Sequence, residues 1–338
     1  MKVKENVLIS SLTTMRMGGA ARFVIEIEKP EDIPEAYEFA WAYRLPTFVL
    51  GGGANTIGHD EGFNGAILMN KMYGMQYKDG SLRAMGGENW DNLVGYACGL
   101  GLTGIEALSK IPGTVGAAPV QNIGAYGQDI SQVLENVEVF DTHDLSFKFL
   151  TREDLKFGYR KSILNTTEYG RYFVVAVTLR LMEGQMRRPF YQSLEKYIDD
   201  HGETDFSPAS IRRMVSAIRD EKLPDPAKIA SSGSFFKNIY VSDSDAEKMQ
   251  ERGWPVYRGA GSNKINAGWL IEQAGFAGKL LHGMRVNEKA ALVLMNESAK
   301  GYKDLAAARE EIVSKVYDQF GYWLEQEPVE IKNEKFKW

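Results

Sequence analysis

The sequence contains a single cysteine, Cys98, and no long apolar run. One thiol excludes an intrachain disulfide framework and nearly excludes a cysteine-ligated metal site. No segment reaches the roughly 20 apolar residues that a membrane helix needs. The first residues carry Lys2, Lys4 and Glu5 and lack the apolar stretch of a secretory signal. We therefore expect a cytoplasmic protein that makes no contact with a membrane.

Clusters of basic residues and ordered sets of histidines are also missing. The chain of 338 residues has 40 Lys and Arg against 45 Asp and Glu, without the basic runs that mark a nucleic-acid surface. Its histidines are scattered without the spacing of metal ligands; they are His59, His143, His201 and His282. We expect neither a nucleic-acid partner nor a metal site.

The residues that are present indicate an ordinary globular α+β protein. Hydrophobic residues make up 44% and charged residues 25% of the chain, and its length predicts two or three domains. Alternating patterns predict strands and hairpins over 22–28, 47–50, 66–69, 76–85, 133–150, 172–181 and 291–295. Helical signals predict helices over 29–43, 89–99, 208–221, 242–252, 267–275 and 303–320. A change in the sequence pattern near residue 184 predicts a cofactor-binding part before it and a second domain after it.

Two glycine-rich segments occur in the first part, at 51–56 and at 111–127. Glycine tolerates positive φ and lets backbone N–H groups approach a diphosphate closely. A tight turn explains the first segment alone, but two such loops favour a nucleotide held by backbone atoms. Neither is a Rossmann fingerprint, because residues 57–62 are predicted to form a loop rather than a helix, and neither is a Walker loop.

Seven short segments occur in a fixed order along the chain. They are Thr-Met-Arg-Met-Gly-Gly-Ala at 14–20, Leu-Gly-Gly-Gly-Ala-Asn at 50–55, the glycine-rich 111–127, Phe-Gly-Tyr-Arg-Lys-Ser at 157–162, Lys-Leu-Pro-Asp-Pro at 222–226, Gly-Ser-Phe-Phe-Lys-Asn at 233–238 and Ala-Gly-Trp-Leu-Ile at 267–271. Each motif alone is weak. Together they closely resemble the UDP-N-acetylenolpyruvoylglucosamine reductase (MurB) family, over residues 14 to about 331, and the region around Tyr191 resembles its longer form.

The resemblance implies a fold and a domain organisation. The fold is α+β, with a vanillyl-alcohol oxidase-type (PCMH-type) FAD-binding fold in two lobes and an α+β substrate-binding domain. It places the FAD-binding region at 1–184, with lobes of about 1–65 and 66–184. A connecting segment covers 185–206, the substrate-binding C-terminal domain 207–322, and a C-terminal return to the active site 323–338. We expect a monomer.

The resemblance also implies an activity and its ligands. NADPH passes a hydride to non-covalent FAD, which then reduces the enolpyruvyl double bond of UDP-N-acetylglucosamine enolpyruvate in peptidoglycan precursor synthesis. The residues matched to FAD binding are Leu50, Gly51, Gly52, Gly53, Ala54, Asn55, Thr56, Ile111, Pro112, Gly113, Val115, Gly116, Ala117, Gln121, Asn122, Ile123, Gly124, Ala125, Tyr126 and Gly127. The residues matched to substrate binding are Tyr159, Tyr191, Arg219, Lys222 and Asn238.

The implied chemistry needs a fixed positive charge and a proton donor. Hydride addition leaves an enolate-like charge beside the substrate carboxylate, and Arg160, matched to the family's arginine, is suited to stabilise it. An isolated arginine would by default form a structural ion pair. Ser234 matches the residue that protonates carbon in the family. Because a hydroxyl is a weak acid, a nearby cation or a hydrogen-bond relay must assist it, and Lys222 and Lys237 are both candidates.

The third catalytic residue is a glutamate near the C-terminus, where the family pattern is Leu-Glu-Pro-Glu-Val. This chain reads Leu-Glu-Gln-Glu-Pro-Val-Glu over 324–330. Counting from the leucine assigns Glu327. Glu325 and Glu330 stay alternatives, because the proline has moved past the glutamate and Val329 stands where relatives often carry arginine. A buried glutamate beside a flavin would have a raised pKa, whereas a solvated acidic tail would explain all three glutamates.

Two other functional classes stay open. A flavin oxidase of the same fold would use oxygen, and many such enzymes tether FAD through His or Cys. Ala20 follows the glycine pair at 18–19, and the only thiol lies in a predicted helix, so a covalent flavin is not expected. A non-catalytic flavin or nucleotide-sugar binder would have no need of the catalytic set. At Ala290, where relatives usually carry a polar residue or histidine, no substrate contact is assigned.

Overall fold

The computed structural model of the chain describes residues 1–259 and 262–333. Residues 260–261 and 334–338 lie outside the described residues. The first range belongs to the predicted substrate-binding domain, and the second belongs to the predicted C-terminal return. Within the described part, no helix combines the length and the apolar character needed to cross a membrane.

The N-terminal part is built on a four-stranded sheet. Its elements are β1 (Lys2–Leu8), β2 (Ala20–Ile27), α1 (Asp32–Ala42), β3 (Thr47–Leu50), β4 (Thr56–Gly58) and β5 (Phe63–Asn70). In the order β1-β2-β5-β3, β1 is antiparallel to β2, and β2, β5 and β3 run parallel. Because successive side chains of a strand face opposite sides, Ile25 packs with α1 while Val24 packs with Leu50 on the other face.

A five-stranded antiparallel sheet follows. The elements of this region are β6 (Met75–Lys78), β7 (Ser81–Met85), α2 (Trp90–Gly99), β8 (Leu102–Thr103), β9 (Gly124–Ala125), β10 (Gln128–Asp129), β11 (Leu134–Asp141), β12 (Ser146–Thr151), β13 (Tyr172–Arg180) and β14 (Met182–Glu183). The order β12-β11-β13-β7-β6 places β13 at the centre, and both predicted hairpins form. Asp79 and Gly80 turn the first hairpin with positive φ at both residues. Phe140 and Phe173 join this sheet to the core beneath α1.

The C-terminal part packs helices against two small antiparallel sheets. Its elements are α3 (Gln192–His201), α4 (Pro208–Lys222), β15 (Ala230–Ser234), β16 (Ile239–Val241), α5 (Asp243–Glu251), β17 (Val256–Gly259), β18 (Ser262–Ile265), α6 (Ala267–Gln273), β19 (Leu280–Leu281), β20 (Met284–Val286), β21 (Val293–Asn296), α7 (Tyr302–Phe320) and β22 (Val329–Ile331). The sheets have the orders β15-β21-β20-β19 and β16-β18-β17. Met15 and Met17, from the other end of the chain, are buried in the same core as α6 and α7.

Long-range pairing corrects the loop predicted over 57–62. Residues 56–58 form β4, which pairs in parallel with β22: Thr56 lies opposite Val329, and Gly58 opposite Ile331. The paired residues Thr56 and Val329 are 273 positions apart in the sequence, so no local pattern could show the pairing. The strand β22 therefore attaches the C-terminal tail directly beside the first glycine loop.

The structure adds detail to two further expectations. The predicted connecting segment over 185–206 contains the helix α3, whose Leu194 and Ile198 are buried against Ile211 and Val215 of α4. Their spacing of one helical turn was the available signal. The predicted lobe boundary near residue 65 falls inside β5, whose pairing assigns residues 63–70 to the first sheet. The division into domains itself stays a prediction.

Candidate functional site

A cavity of about 320 Å³ lies where the two glycine loops, the strand β15 and the C-terminal tail meet. Arg160, Ser234 and Glu327 all line it, although they come from three distant segments. All but four of the residues matched to FAD binding line it as well. Those sixteen are Leu50, Gly51, Gly52, Gly53, Ala54, Asn55, Thr56, Ile111, Pro112, Gly113, Gly116, Ala117, Gln121, Ile123, Gly124 and Ala125.

The glycine loops pack too closely for larger residues. A Cβ on Gly52 would lie 2.9 Å from the Cα of Gly113, so the two loops contact each other backbone to backbone. Gly53 has a φ of +65°, and a Cβ there would lie 2.0 Å from the carbonyl oxygen of Leu12. Asn55 joins the loops from the side, since its Nδ2 donates to Oε1 of Gln121 at 2.7 Å. The glycines are therefore required by the backbone path.

The four remaining matched residues support the loops without lining the cavity. Val115 is fully buried, and its N–H donates to the carbonyl of Glu88. Asn122 donates to the carbonyl of Gly158 at 3.2 Å, and Gly127 turns the chain between β9 and β10 with a φ of +87°. The ring of Tyr126 lies 5.9 Å from that of Tyr191. We expect these four residues to act on a cofactor through the loops.

The polar groups of the wall fit an FAD cofactor. The N–H groups of residues 51–54 donate to no backbone carbonyl of the described residues. The hydroxyl of Ser232, in the cavity wall, is buried and has no hydrogen-bond partner within the described residues. Backbone N–H groups in a glycine loop suit the oxygens of a diphosphate, and a buried hydroxyl suits a polar edge of a ring system. Ser232 was not singled out from the sequence, since an isolated serine gives no signal.

A strained turn presents Arg160 to the cavity. Gly158 and Lys161 exchange two backbone hydrogen bonds, of 2.9 and 3.2 Å, and close a tight turn around the arginine. Arg160 has a φ of +55°, a left-handed conformation that is unfavourable for a residue with a Cβ. Its backbone carbonyl accepts from Asn165 at 3.0 Å, and its Nη2 donates to the carbonyl of Gly124 at 3.2 Å. The turn therefore fixes the direction of the guanidinium.

Glu327 is the partner of that guanidinium. Its Oε1 lies 3.0 Å from Nε of Arg160, close enough for an ion pair although the N–H is not aligned for a hydrogen bond. The carboxyl is only 8% exposed. Burial raises the pKa of Glu327, while Arg160 and Lys237 act in the opposite direction. A glutamate in this environment can hold its proton to higher pH than an exposed one.

The alternative glutamates have other surroundings. Glu325 is 68% exposed and forms an ion pair with Lys237 outside this cavity. Glu330 lies outside the cavity lining and accepts hydrogen bonds from Tyr302 at 2.8 Å and Arg309 at 3.0 Å. Burial would raise the pKa of Glu330, but its hydrogen-bond partners outweigh this and lower the pKa to about 2. Of the three glutamates, Glu327 alone is placed for chemistry in the cavity.

Ser234 ends β15 directly beside the tail. Gly233 precedes it with a φ of +70°, and Phe235, which follows it, is fully buried. The carbonyl of Phe235 accepts from the N–H of Glu327 at 2.9 Å, so the segment that follows Ser234 is held beside the tail segment that carries the glutamate. Of the two candidate assisting lysines, Lys237 pairs with Glu325, and neither Lys237 nor Lys222 lines the cavity.

The residues matched to substrate binding divide between the cavity and its surroundings. Arg219 lines the cavity, and its burial lowers the pKa of the guanidinium. Tyr159 and Asn238 line a neighbouring pocket of about 330 Å³. Tyr191 precedes α3, and Lys222 ends α4; both lie outside the two linings.

Lys264 is a cation near the site that the sequence analysis missed. Burial lowers the pKa of its ammonium, and the charge of Arg160 lowers it further. The residue lies on β18, between Tyr240 of β16 and Tyr257 of β17. Because its proximity to Arg160 depends on the placement of this three-stranded sheet, the local sequence carried no signal for it.

Comparisons with known proteins match both parts of the chain. Residues 21–144 match the FAD binding domain family, and residues 225–331 match the family described as UDP-N-acetylenolpyruvoylglucosamine reductase, C-terminal domain. The reductase of that name from Ralstonia nicotianae is 36% identical over 94% of this chain and 96% of its own length. The one from Vibrio parahaemolyticus is 32% identical over 97% of this chain and 94% of its own.

A solved structure agrees with these relatives. The crystal structure of UDP-N-acetylenolpyruvylglucosamine reductase (MurB) from Thermus caldophilus superposes with a TM-score of 0.69 at 27% identity, covering 97% of this chain and 99% of that one. Together with the FAD binding domain match, it confirms the predicted fold class: α+β, with a vanillyl-alcohol oxidase-type FAD-binding fold and a further C-terminal α+β part.

Proposed function

Because this chain belongs to the UDP-N-acetylenolpyruvoylglucosamine reductase family, we propose that it is the oxidoreductase that reduces UDP-N-acetylglucosamine enolpyruvate to UDP-N-acetylmuramate with NADPH. This reaction would serve peptidoglycan precursor synthesis in the cytoplasm. One observation carries the proposal: Arg160, Ser234 and Glu327 line the same cavity as both glycine loops.

The cofactor proposed for the cavity is non-covalent FAD, which when bound supplies hydride chemistry. The loops at 51–56 and 111–127 would hold it through backbone N–H groups, and the hydrogen bond from Asn55 to Gln121 joins the two loops. No Rossmann fingerprint for NADPH occurs in the sequence. NADPH and the UDP-sugar therefore use the same cavity in turn, which gives ping-pong kinetics.

In this proposal Arg160 and Glu327 stabilise the charge that develops on the substrate. The enolate oxygens beside the substrate carboxylate receive donors from the guanidinium, which is always protonated. The raised pKa of Glu327 keeps its carboxyl available as a proton-bearing donor to the same oxygens. Their separation of 3.0 Å lets both groups act on one carboxylate-sized target.

Ser234 is the proposed proton donor to carbon. Its place at the end of β15 puts the residue in the cavity wall, beside the tail segment that carries Glu327. Arg219, Lys222, Tyr191, Tyr159 and Asn238 are proposed to contact the UDP-sugar. A diphosphate is the natural partner for the buried guanidinium of Arg219, because charge pairing offsets the desolvation of both groups. We also propose the domain organisation predicted from the sequence: an FAD-binding region at 1–184, a connecting segment at 185–206 and a substrate-binding domain at 207–322.

Anaerobic absorbance of the purified yellow protein tests the function. NADPH should bleach the flavin band, and UDP-N-acetylglucosamine enolpyruvate should then restore it without oxygen. UDP-N-acetylglucosamine, which lacks the enolpyruvyl group, is the control and should leave the band bleached. Failure of NADPH to bleach the band would remove the proposal. Restoration by oxygen alone, faster than by the UDP-sugar, would favour the flavin oxidase.

A further inference from the structure

The side chain of Gln326 bridges across the residue that follows it. Its Nε2 donates to the carbonyl of Pro328 at 2.8 Å and to Oε1 of Glu330 at 3.2 Å. Its Oε1 accepts from Nη1 of Arg309 at 2.6 Å. Glu327 lies inside this set of bonds, so the tail on both sides of it is tied to the helix α7.

These bonds belong to a larger polar cluster. Glu330 also accepts from the hydroxyl of Tyr302 at 2.8 Å and lies 3.0 Å from Nε2 of His59. These side chains are mostly buried: His59 is 18% exposed, Glu330 17% and Arg309 27%. Partial shielding from water strengthens the hydrogen bonds between them. The cluster connects the tail to α7 on one side and to the chain leaving β4 on the other.

Other hydrogen bonds also restrain the backbone around Glu327. Its N–H donates to the carbonyl of Phe235 at 2.9 Å, and its carbonyl accepts from Nδ2 of Asn55 at 3.4 Å. The N–H of Lys237 donates to the carbonyl of Glu325 at 2.9 Å, and the N–H of Val329 donates to the carbonyl of Asn55 at 3.0 Å. Gln326 lies opposite Phe236 in an isolated antiparallel bridge. The two hydrogen bonds of this bridge are made by the residues on either side of this pair, not by Gln326 or Phe236. The backbone of Gln326 therefore contributes none of these bonds, and its side chain supplies the restraint at this point.

We propose that Gln326 is a positioning residue: its side chain fixes the backbone on either side of Glu327 and so holds that carboxyl at Arg160. The catalytic consequence rests on the proposed function. Proline stands at this place in the pattern that the chain resembles, and a proline ring restricts the backbone covalently. In this chain three side-chain hydrogen bonds do the same work.

Three variants and a matched control test the proposal. Gln326→Ala removes the three bonds, and Gln326→Glu keeps an acceptor for Arg309 but loses the donor to Pro328 and repels Glu330. Gln326→Pro restrains the backbone without those bonds and removes no backbone hydrogen bond. Gln319→Ala is the control, since among the described residues the side chain of this glutamine of α7 donates only to the carbonyl of Gln273, at 3.4 Å. If one variant fails to fold, the others still carry the test.

Amide hydrogen exchange of the segment 324–331 in the FAD-loaded protein is the readout that does not depend on activity. In the Ala and Glu variants we expect exchange at the N–H groups of Glu327 and Val329 to rise about tenfold or more. Each hydrogen bond that these variants lose stabilises the closed form of this segment in the wild type. The Pro variant and Gln319→Ala should exchange like the wild type. Unchanged exchange in Gln326→Ala, or equal exchange in the Ala and Pro variants, would overturn the proposal.

Anaerobic kinetics give the second readout. For Gln326→Ala we expect the rate of flavin reoxidation at saturating substrate to fall about tenfold, with less than a twofold change in the substrate concentration for half-maximal rate. A change in that concentration alone would contradict a role in positioning the acid. If Glu327→Gln itself leaves reoxidation unaffected, the proposed function of Glu327 fails, while the exchange experiment still decides the role of Gln326.

Discussion

Replacing each tail glutamate by glutamine separates the three candidates for the catalytic acid. Glu327 is 8% exposed and lies 3.0 Å from Arg160, so Glu327→Gln removes the ionisable carboxyl from the cavity beside that guanidinium. General acids contribute about 10²–10⁴-fold to rate. We expect flavin reoxidation by the UDP-sugar to slow by this factor, while reduction by NADPH changes little.

Glu325→Gln and Glu330→Gln are the comparison variants for Glu327→Gln. Glu325 is 68% exposed, and a surface ion pair contributes about 0.2–1 kcal/mol, so Glu325→Gln should change reoxidation by no more than about fivefold. Glu330→Gln should act on stability and on the support that Glu330 gives to the Gln326 side chain, and it should slow reoxidation less than Glu327→Gln does, because Glu330 lies outside the cavity lining. Stopped-flow absorbance measures both half-reactions on the same sample. If reoxidation is slow in Glu325→Gln and fast in Glu327→Gln, the catalytic acid is Glu325 and the assignment is wrong by two residues.

The pH dependence of reoxidation gives an independent check. The pKa of Glu327 is raised by burial, so its protonated form persists above the usual range of a carboxyl and is lost as the pH rises through the raised pKa. The wild-type rate should therefore fall across that interval. Glu327→Gln should lose this limb of the profile and Glu325→Gln should keep it. An unchanged limb in Glu327→Gln would show that another group titrates.

Three more outcomes are expected. Ser234→Ala should leave bleaching by NADPH intact and slow reoxidation by about 10²–10⁴-fold; equal damage to both half-reactions would make the serine structural. Gly53→Ala forces a Cβ to within 2.0 Å of the carbonyl of Leu12 at a φ of +65°, so FAD retention on gel filtration should be lost, and retained FAD would contradict the close packing of the loop. The pKa of Glu330 is lowered from the ordinary 4.5 to about 2, and this shift provides stability that is present above pH 5 and is lost as the pH falls towards 2. Denaturant titrations should show a loss of up to about 3 kcal/mol from this group over that interval, absent in Glu330→Gln.

Several parts of the fold were predictable because they depend on neighbouring residues. The strand at 47–50 matches its prediction in full, and the turn at Asp79 and Gly80 follows from their tolerance of positive φ. Asn89 and Ser207 cap α2 and α4 through their own side chains. Each of these signals is complete within a few residues, so the sequence carries it without tertiary information.

Other parts could not be predicted, because their partners come from far along the chain. The strand β4 is held by β22, and Lys264 reaches the surroundings of Arg160 through a three-stranded sheet. The orphan hydroxyl of Ser232 becomes notable only when the cavity encloses it. Burial and proximity are properties of the packed molecule and leave no periodic trace in one segment.

The sequence by itself determined the family, the glycine loops and the identity of Arg160 and Ser234 as candidates, since ordered local motifs carry all three. The proposal of Glu327 over the other two glutamates rests on the tertiary structure alone. Glu325, Glu327 and Glu330 are chemically identical in the unfolded chain. Folding exposes the first, buries the second against Arg160 and surrounds the third with hydrogen-bond donors, because nonlocal strand pairing sets the path of the tail.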